Sequence, residues 1–348
     1  MLKIVIPTAG WATRVRPQTW SKPKPLVGLA GRTSLDHLLD SFHSVPDFKT
    51  GKKQCPESAE YVIILSPFLG EAQIPPHMKK NYPGYKVRYV LQQVMRGQSD
   101  AILLARQYLS GPMLMCFSDT LIESDFSHLA DEKADIVAWV KPTPDPRRFG
   151  VVEVDKEGWA TRLIEKPTTF KNKLAVVGCY YFREGRDLVA AIEEQMKRGK
   201  SLKGEYFLAD AINIMIEHGF KMRTETIDTW LDMGTIEALL ETNRYLLEHG
   251  RDNSESIHRK NVKIVPPVFI HESASIDNST VGPNVSIGAE CMITNSQVED
   301  SILETGVVVE AAALKGSFIG RQALVQGHAI ESRSMILNIG DNSTVVLK

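Results

Sequence analysis

Residues 2–25 read Leu2-Lys3-Ile4-Val5-Ile6-Pro7-Thr8-Ala9-Gly10-Trp11-Ala12-Thr13-Arg14-Val15-Arg16-Pro17-Gln18-Thr19-Trp20-Ser21-Lys22-Pro23-Lys24-Pro25. The run from Leu2 to Ile6 is short, apolar and rich in β-branched residues, the pattern of a buried strand. It empties into small residues and then into cations, which is a way to seat a polyphosphate. Ala9, Gly10 and Ala12 let backbone N–H groups approach phosphate oxygens that bulkier side chains would keep away. Arg14, Arg16, Lys22 and Lys24 can then add fixed positive charge, Arg through forked contacts and Lys as a point charge. Pro23 and Pro25 restrict the backbone on both sides of Lys24.

Outward from this stretch, short apolar strands alternate with helical patterns to about residue 250, which predicts an α/β layer with a mostly parallel sheet. The expected strands are 2–6, 60–65, 87–91, 113–117, 135–140, 149–154 and 174–182. The expected helices are 34–42, capped by Thr33 or Ser34, then 99–108, 185–198, 206–218 and 235–247. Residues 44–59 read as a polar, turn-rich excursion. After about residue 255 helical periodicity disappears, and single aliphatic residues recur among small polar ones. Ile264, Ile270 and Ile276 are six apart, as are Val281, Ile287 and Ile293. The interval returns at Ile302, Val308 and Leu314, at Ile319 and Val325, and at Ile330 and Ile336. One inward aliphatic residue per flat side, with Gly282, Gly288 and Gly320 at corners, predicts a stacked β-solenoid. The expected domains are therefore 1–250 and 251–348.

Bulk composition narrows the partners. Lys and Arg number 41 against 42 Asp and Glu, so bulk charge argues against a nucleic-acid or membrane partner. A hydrophobic content of 43% is ordinary for a globular protein with a sizeable core. Apolar runs such as 61–65 are far too short to span a bilayer, and the first strand leaves no room for a signal peptide. Cys55, Cys116, Cys179 and Cys291 form no C-x-x-C pair, which disfavours a disulfide framework or structural metal and fits a reducing cytoplasm.

Gly10-Trp11-Ala12-Thr13-Arg14, Pro17-Gln18-Thr19 and Pro23-Lys24-Pro25 resemble the G-x-G-T-R, P-x-T and P-K-P signature of the sugar-1-phosphate nucleotidyltransferases, the group that includes glucose-1-phosphate thymidylyltransferase. Ala12 departs from the pattern at its second glycine. The six-residue repeat resembles the hexapeptide-repeat, left-handed parallel β-helix that follows many such domains. The implied fold is a Rossmann-like, mixed-sheet nucleotidyltransferase domain followed by a C-terminal left-handed β-helix.

The resemblance also implies a site. Gln92 and Gly97 match a glutamine that reads the nucleobase edge five residues before a glycine, an amide offering both donor and acceptor. Ala9, Gly10, Ala12 and Thr13 would complete the nucleotide site. Asp119 closes the apolar run 113–117, although Ser118 stands where the family has glycine. Asp232 lies in Trp230-Leu231-Asp232-Met233-Gly234-Thr235, similar to W-x-D-x-G-T. Together they imply Mg²⁺, a hard cation suited to carboxylates and phosphate oxygens. Phe149-Gly150-Val151-Val152, Glu165-Lys166-Pro167 and Gly178-Cys179-Tyr180 resemble the segments of the sugar-phosphate pocket. Glu165 would then accept from sugar hydroxyls, and Lys166 would neutralise the sugar's phosphate. Gly150 and Gly178 would admit the ring. Arg147 and Arg148 read as a solvated turn, and His37 as a helix residue near the core.

The implied reaction joins a nucleoside triphosphate to a sugar 1-phosphate, releasing pyrophosphate, with Arg14, Lys24 and Lys166 as catalytic cations. dTTP or UTP with glucose 1-phosphate is the expected pair, and GTP with mannose 1-phosphate is the alternative. Two rivals differ in class. A catalytically silent sugar-nucleotide sensor would be expected to lose Arg14, Lys24 or an aspartate, and all are present. An acyltransferase activity in the helix would draw on His271 or His328 as base, but that chemistry usually needs a longer helix. A dehydrogenase is set aside because no G-x-G-x-x-G follows the first strand. Solenoid faces and the 44–59 excursion could both support a homo-oligomer.

Overall fold

A computed structural model describes residues 1–48, 59–199, 201, 204–257, 260–327 and 334–347. Most of the 44–59 excursion, with Cys55, lies outside the described residues, as do His328 and Ile330. The chain forms two compact units. One holds Met1–Trp11 and Leu38–Trp230, the other Ala12–His37 and Leu231–Lys348.

The first unit is organised by a mixed sheet of nine described strands. Lys3–Pro7 lies between Met113–Cys116 and Glu60–Leu65, all parallel, and Lys86–Leu91 extends the parallel edge. Val5, Val62, Ile64 and Met115 are fully or almost fully buried, which is why these strands read as continuous apolar runs. The helices Gln98–Leu104, Gly185–Lys197 and Leu208–Glu217 contribute Ile102, Leu188, Ile192 and Ile212 to the same core.

Beyond Met113–Cys116 the expected parallel order gives way. Leu174–Phe182 runs antiparallel to Met113–Cys116, to Ile136–Pro142 and to Gly150–Val154. A parallel pair needs a long crossover, usually a helix. Here the connection from Ile136–Pro142 to Leu174–Phe182 instead carries a hairpin, Gly150–Val154 paired with Ala160–Glu165. The helix Leu69–Asn81 is absent from the expected set, and Pro75 and Pro76 lie inside it, residues that ordinarily interrupt a helix.

In the second unit, residues after 260 form three parallel sheets stacked as a left-handed β-helix. Pairing aligns Ile264 with Val281, Val281 with Val298 and Val298 with Leu314. A second side aligns Ile270, Ile287, Leu303 and Ile319, and a third aligns Ile276, Ile293, Val309 and Val325. These residues fill the interior. Two expectations shift by one residue, since Leu303 and Val309 occupy the central rows in place of Ile302 and Val308. The coil from Val298 to Leu314 is one residue shorter than those before it, so a strict interval of six drifts out of phase. Ile336 is likewise not inward but 79% exposed, while Met335 bridges to Leu314. At the corners, Gly282 has φ of +106°, and a Cβ there would fall 1.8 Å from the Val265 carbonyl oxygen.

The register makes a prediction for denaturant unfolding. Ile293→Ala removes an inward side chain and should cost about 2–5 kcal/mol, whereas Ile336→Ser should stay within about 0.5 kcal/mol of the parent. Equal costs at the two positions would refute the register.

Candidate active site

The turn expected to bind phosphate passes from the first unit into the second at Ala12. Ala12 adopts a left-handed conformation, φ 45° and ψ 39°, and precedes the single 3-10 turn Thr13–Val15. Such a conformation favours glycine, so the position explains why the family pattern carries one and marks Ala12 as strained. Thr19 Oγ1 donates to the Ala12 carbonyl at 2.9 Å and fixes the turn from below. Arg14 is exposed. Lys24 opens a second 3-10 turn, Lys24–Leu26, with Pro23 as its cap and Pro25 inside it. The Lys24 carbonyl accepts from Val27 N–H at 3.0 Å and from Ser34 Oγ at 3.1 Å, so its backbone is held on both sides. The expected cap of the following helix is present, with Asp36 N–H bonded to Thr33 Oγ1 and Thr33 N–H to the Asp36 carboxylate. His37 is buried and bonds the Leu29 carbonyl, as a core helix residue should.

Lys22 requires a correction. Read as a phosphate-binding cation, it is 0% exposed, and its Nζ is ion-paired with Glu304 and Asp341. Its charge is already neutralised within the protein, so the turn's available cations are reduced.

The same unit brings the turn to Asp232 and Gly234 of the W-x-D-x-G-T segment. Asp232 Oδ1 accepts from Gly234 N–H at 2.9 Å. A Cβ on Gly234 would fall 2.8 Å from Asp232 Oδ1 and 3.4 Å from Arg14 Nη2. Glycine at 234 thus lets Arg14 and the Asp232 carboxylate converge over one stretch of backbone.

In the first unit, the place a Cβ on Gly10 would take has, apart from its chain neighbours, no atom of the described residues within 4 Å, an open face suited to close ligand approach. Gln92 is buried, whereas Gln93 is exposed. Gln92 Nε2 donates to the Gly97 carbonyl at 3.2 Å and to Asp100 Oδ2 at 3.0 Å. Both partners can only accept, which fixes the amide orientation and directs Oε1 the other way. Gly97 has φ of +100°, and a Cβ there would lie 2.6 Å from the backbone of Tyr206. Tyr206 N–H bonds the Arg96 carbonyl and its carbonyl accepts from Ser99, so residues 204–208 brace this turn. The sequence carried no sign of that brace.

Asp119 follows the strand Met113–Cys116. Phe117 N–H bonds the Gly178 carbonyl at 3.0 Å, and Thr120 Oγ1 bonds the Val177 carbonyl at 2.7 Å. A Cβ on Gly178 would meet the Phe117 ring at 2.7 Å, so this glycine admits Phe117 and holds the turn bearing Asp119. Gly150 faces the Glu165 carboxylate, 3.2 Å from where its Cβ would be. Lys166 sits at φ 46°, its N–H bonded to the Phe149 carbonyl and its Nζ 5.0 Å from the Phe207 ring centroid. Trp230 packs edge-on against Phe149 at 4.7 Å, with its Nε1 buried and unpaired among the described residues, a donor suited to a ligand oxygen. Arg147 pairs with Asp145, whose carboxyl it holds down at about 2, and lies 4.6 Å from the Phe170 ring centroid, as a surface turn would.

Asp119 and Asp232 offer only carboxylate oxygen. Among the described residues no group of three or more His, Cys, Asp or Glu is placed to hold a metal ion. A single carboxylate of this kind suits Mg²⁺, which commonly takes one or two carboxylates and completes its shell with waters and substrate phosphates.

The "Nucleotidyl transferase" family model matches residues 3–249. The chain is 27% identical to a glucose-1-phosphate thymidylyltransferase of Streptomyces griseus, over 98% of each chain. It is 28% identical to another from Streptomyces antibioticus, over 100% of each. A solved UDP-glucose pyrophosphorylase in complex with UDP-glucose shares the fold at a TM-score of 0.59 and 17% identity, covering 72% of this chain and 99% of that one.

Glu165 gives this arrangement a pH signature. Burial raises its carboxyl above the ordinary 4.5, Lys166 opposes the shift and Asp210 adds to it. The stability contribution is therefore complete below the unfolded value and is lost as pH rises through the higher folded value. Glu165→Gln cannot ionise, so it should melt above the parent at neutral pH and level with it near pH ~4. A melting difference that is the same at both pH values would contradict the burial of this carboxylate.

Proposed function

The chain belongs to the nucleotidyl transferase family, and we propose that it joins a nucleoside triphosphate to a sugar 1-phosphate, releasing pyrophosphate. The observation that carries this reading is the convergence of Arg14 and Asp232 over Gly234. Arg14 beside the Asp232 carboxylate supports the reading of a cation of the phosphate turn next to a candidate Mg²⁺ ligand. dTTP or UTP with glucose 1-phosphate is the proposed pair, and the names of the full-length relatives support dTTP with glucose 1-phosphate. With its nitrogen committed to Gly97 and Asp100, Gln92 presents an acceptor for the imide N–H of a pyrimidine.

The sugar phosphate needs no general base, because its second pKa of about 6 leaves it largely dianionic at neutral pH. One of its oxygens attacks the α-phosphorus in line. The bond from the α-phosphorus to the bridging oxygen breaks, and that oxygen leaves with pyrophosphate. No enzyme nucleophile is required, so catalysis consists of positioning and charge neutralisation. Lys24 and Lys166 hold the reacting phosphates and Arg14 the departing pyrophosphate. Ala9, Gly10, Ala12 and Thr13 line the polyphosphate with backbone. Glu165 accepts from sugar hydroxyls beside Gly150, and Gly178 keeps the Asp119 turn in place. Asp119 and Asp232 are the candidate ligands of Mg²⁺, which when bound would supply Lewis-acid polarisation of the phosphate oxygens. Residues 1–250 are proposed as the catalytic domain and the β-helix as an assembly element of a homo-oligomer. Among the described residues no helix is long and apolar enough to cross a membrane. A cytoplasmic setting is proposed, since sugar phosphates and nucleotides are made there.

Pyrophosphate release should be measured for dTTP, UTP, GTP, CTP and ATP against common sugar 1-phosphates with Mg²⁺ present. Sugar-dependent release with dTTP or UTP is expected. Release only with GTP and mannose 1-phosphate would move the assignment to guanylyl transfer. Silence throughout, from folded protein that binds an NDP-sugar, would replace the enzyme by a sensor. Lys24→Ala should lower kcat at least about 100-fold with the melting temperature retained.

A further inference from the structure

The turn that carries Arg14 and Lys24 is built against the β-helix within the second unit. Lys22, between them in sequence, is fully buried and ion-paired with Glu304 and Asp341. Both carboxylates also reach the segment itself. Glu304 Oε1 accepts from Gly28 N–H at 3.0 Å, and Asp341 Oδ2 accepts from Ser21 Oγ at 2.6 Å. Arg321 Nε donates to Asp341 at 2.8 Å, so Lys22 and Arg321 together balance the two carboxylates. Gln18 adds a second attachment, its Nε2 reaching the Phe318 and Ile339 carbonyls at 3.2 Å and Asn338 Oδ1 at 2.6 Å.

These partners are not scattered. Leu303, Phe318–Ile319 and Asn338–Ile339 are neighbouring rungs on one side of the solenoid. Glu304 and Asp341 flank that side, and Pro17 packs on Gly340, where a Cβ would lie 3.0 Å from the proline Cβ. Apolar packing alone would allow the turn to slide along such a ladder. A buried ammonium that must meet two carboxylates has one satisfactory position, because any slip strands a charge away from water.

We propose that Lys22, Glu304 and Asp341 form a positioning cluster through which the β-helix sets the conformation of the phosphate-binding turn. Lys22 is a positioning residue that acts through the backbone bearing Arg14 and Lys24, and the solenoid is thereby part of the nucleotide site as well as an assembly element. The consequence for substrate rests on the proposed nucleotidyl transfer, whereas the consequence for the turn does not.

The test uses the full chain as Lys22→Met, the near-isosteric Glu304→Gln, and a control, Arg244→Met. The control breaks a different tie to the solenoid, the ion pair of Arg244 with Asp300. Amide hydrogen exchange without any ligand should accelerate about tenfold or more across residues 12–25 in the first two variants and not in the control. With substrates, the KM for the nucleoside triphosphate should rise about tenfold while the KM for the sugar 1-phosphate holds. Glu304→Gln decides the matter if Lys22→Met does not fold. Unchanged exchange in residues 12–25 would overturn the proposal, as would a lower melting temperature with both KM values unaltered. A parent protein inactive with every nucleotide would overturn the assigned reaction, and the exchange result would still decide the role of the cluster.

Discussion

The ion pairs of Lys22 with Glu304 and Asp341 are the constraint on which the rest of the site depends. Taking an ammonium out of water costs several kcal/mol, and only close, complete pairing offsets it. Here the pairing is complete, with two carboxylates that are themselves bonded to Gly28, Ser21 and Arg321. A charge that looks in sequence like one more phosphate ligand therefore serves to place its neighbours. Of the four cations between residues 14 and 24, Lys22 is the one fully withdrawn from solvent, whereas Arg14 is exposed and Lys24 half-buried.

Each unit then presents its groups from rigid elements. In the first, Gln92 follows a parallel strand and Asp119 another, the end of an α/β sheet where ligands bind. Both are locked by glycine contacts, Gly97 against Tyr206 and Gly178 against Phe117. In the second, Gly234 does the same for Arg14 and Asp232. Three glycines at three turns thus do what a phosphate-binding loop alone cannot, which is to fix the direction of side chains on separate elements. The groups so fixed are amide, carboxylate and cation, and none is an activated nucleophile. That inventory matches a reaction whose barrier lies in bringing anions together.

Much of this was legible in the sequence, and the reasons for the rest are physical. Buried parallel strands are continuous apolar runs, so 60–65 and 113–117 are found within a residue of Glu60–Leu65 and Met113–Cys116. The signature turn was legible because its small residues and prolines are required locally. The fate of Lys22 was not, since its partners lie hundreds of residues away and a buried lysine looks the same in sequence as an exposed one. The helix Leu69–Asn81 was hidden by Pro75 and Pro76, and the central solenoid rows by a coil one residue short. The sheet's antiparallel half was obscured because strand order depends on connections, and an unrecognised strand, Ala160–Glu165, sits in the decisive one. For the site, the lock of Gln92 by Asp100 and the brace from Tyr206 are tertiary contacts without a local signal.

A division of labour among the turn's cations is tested most directly by a crystal structure of the full chain with Mg²⁺, the NDP-sugar and pyrophosphate. Lys24 should contact the NDP-sugar's phosphate oxygens and Arg14 the pyrophosphate, while Lys22 remains buried between Glu304 and Asp341. A phosphate held by Lys22, or products that touch neither Arg14 nor Lys24, would contradict that division.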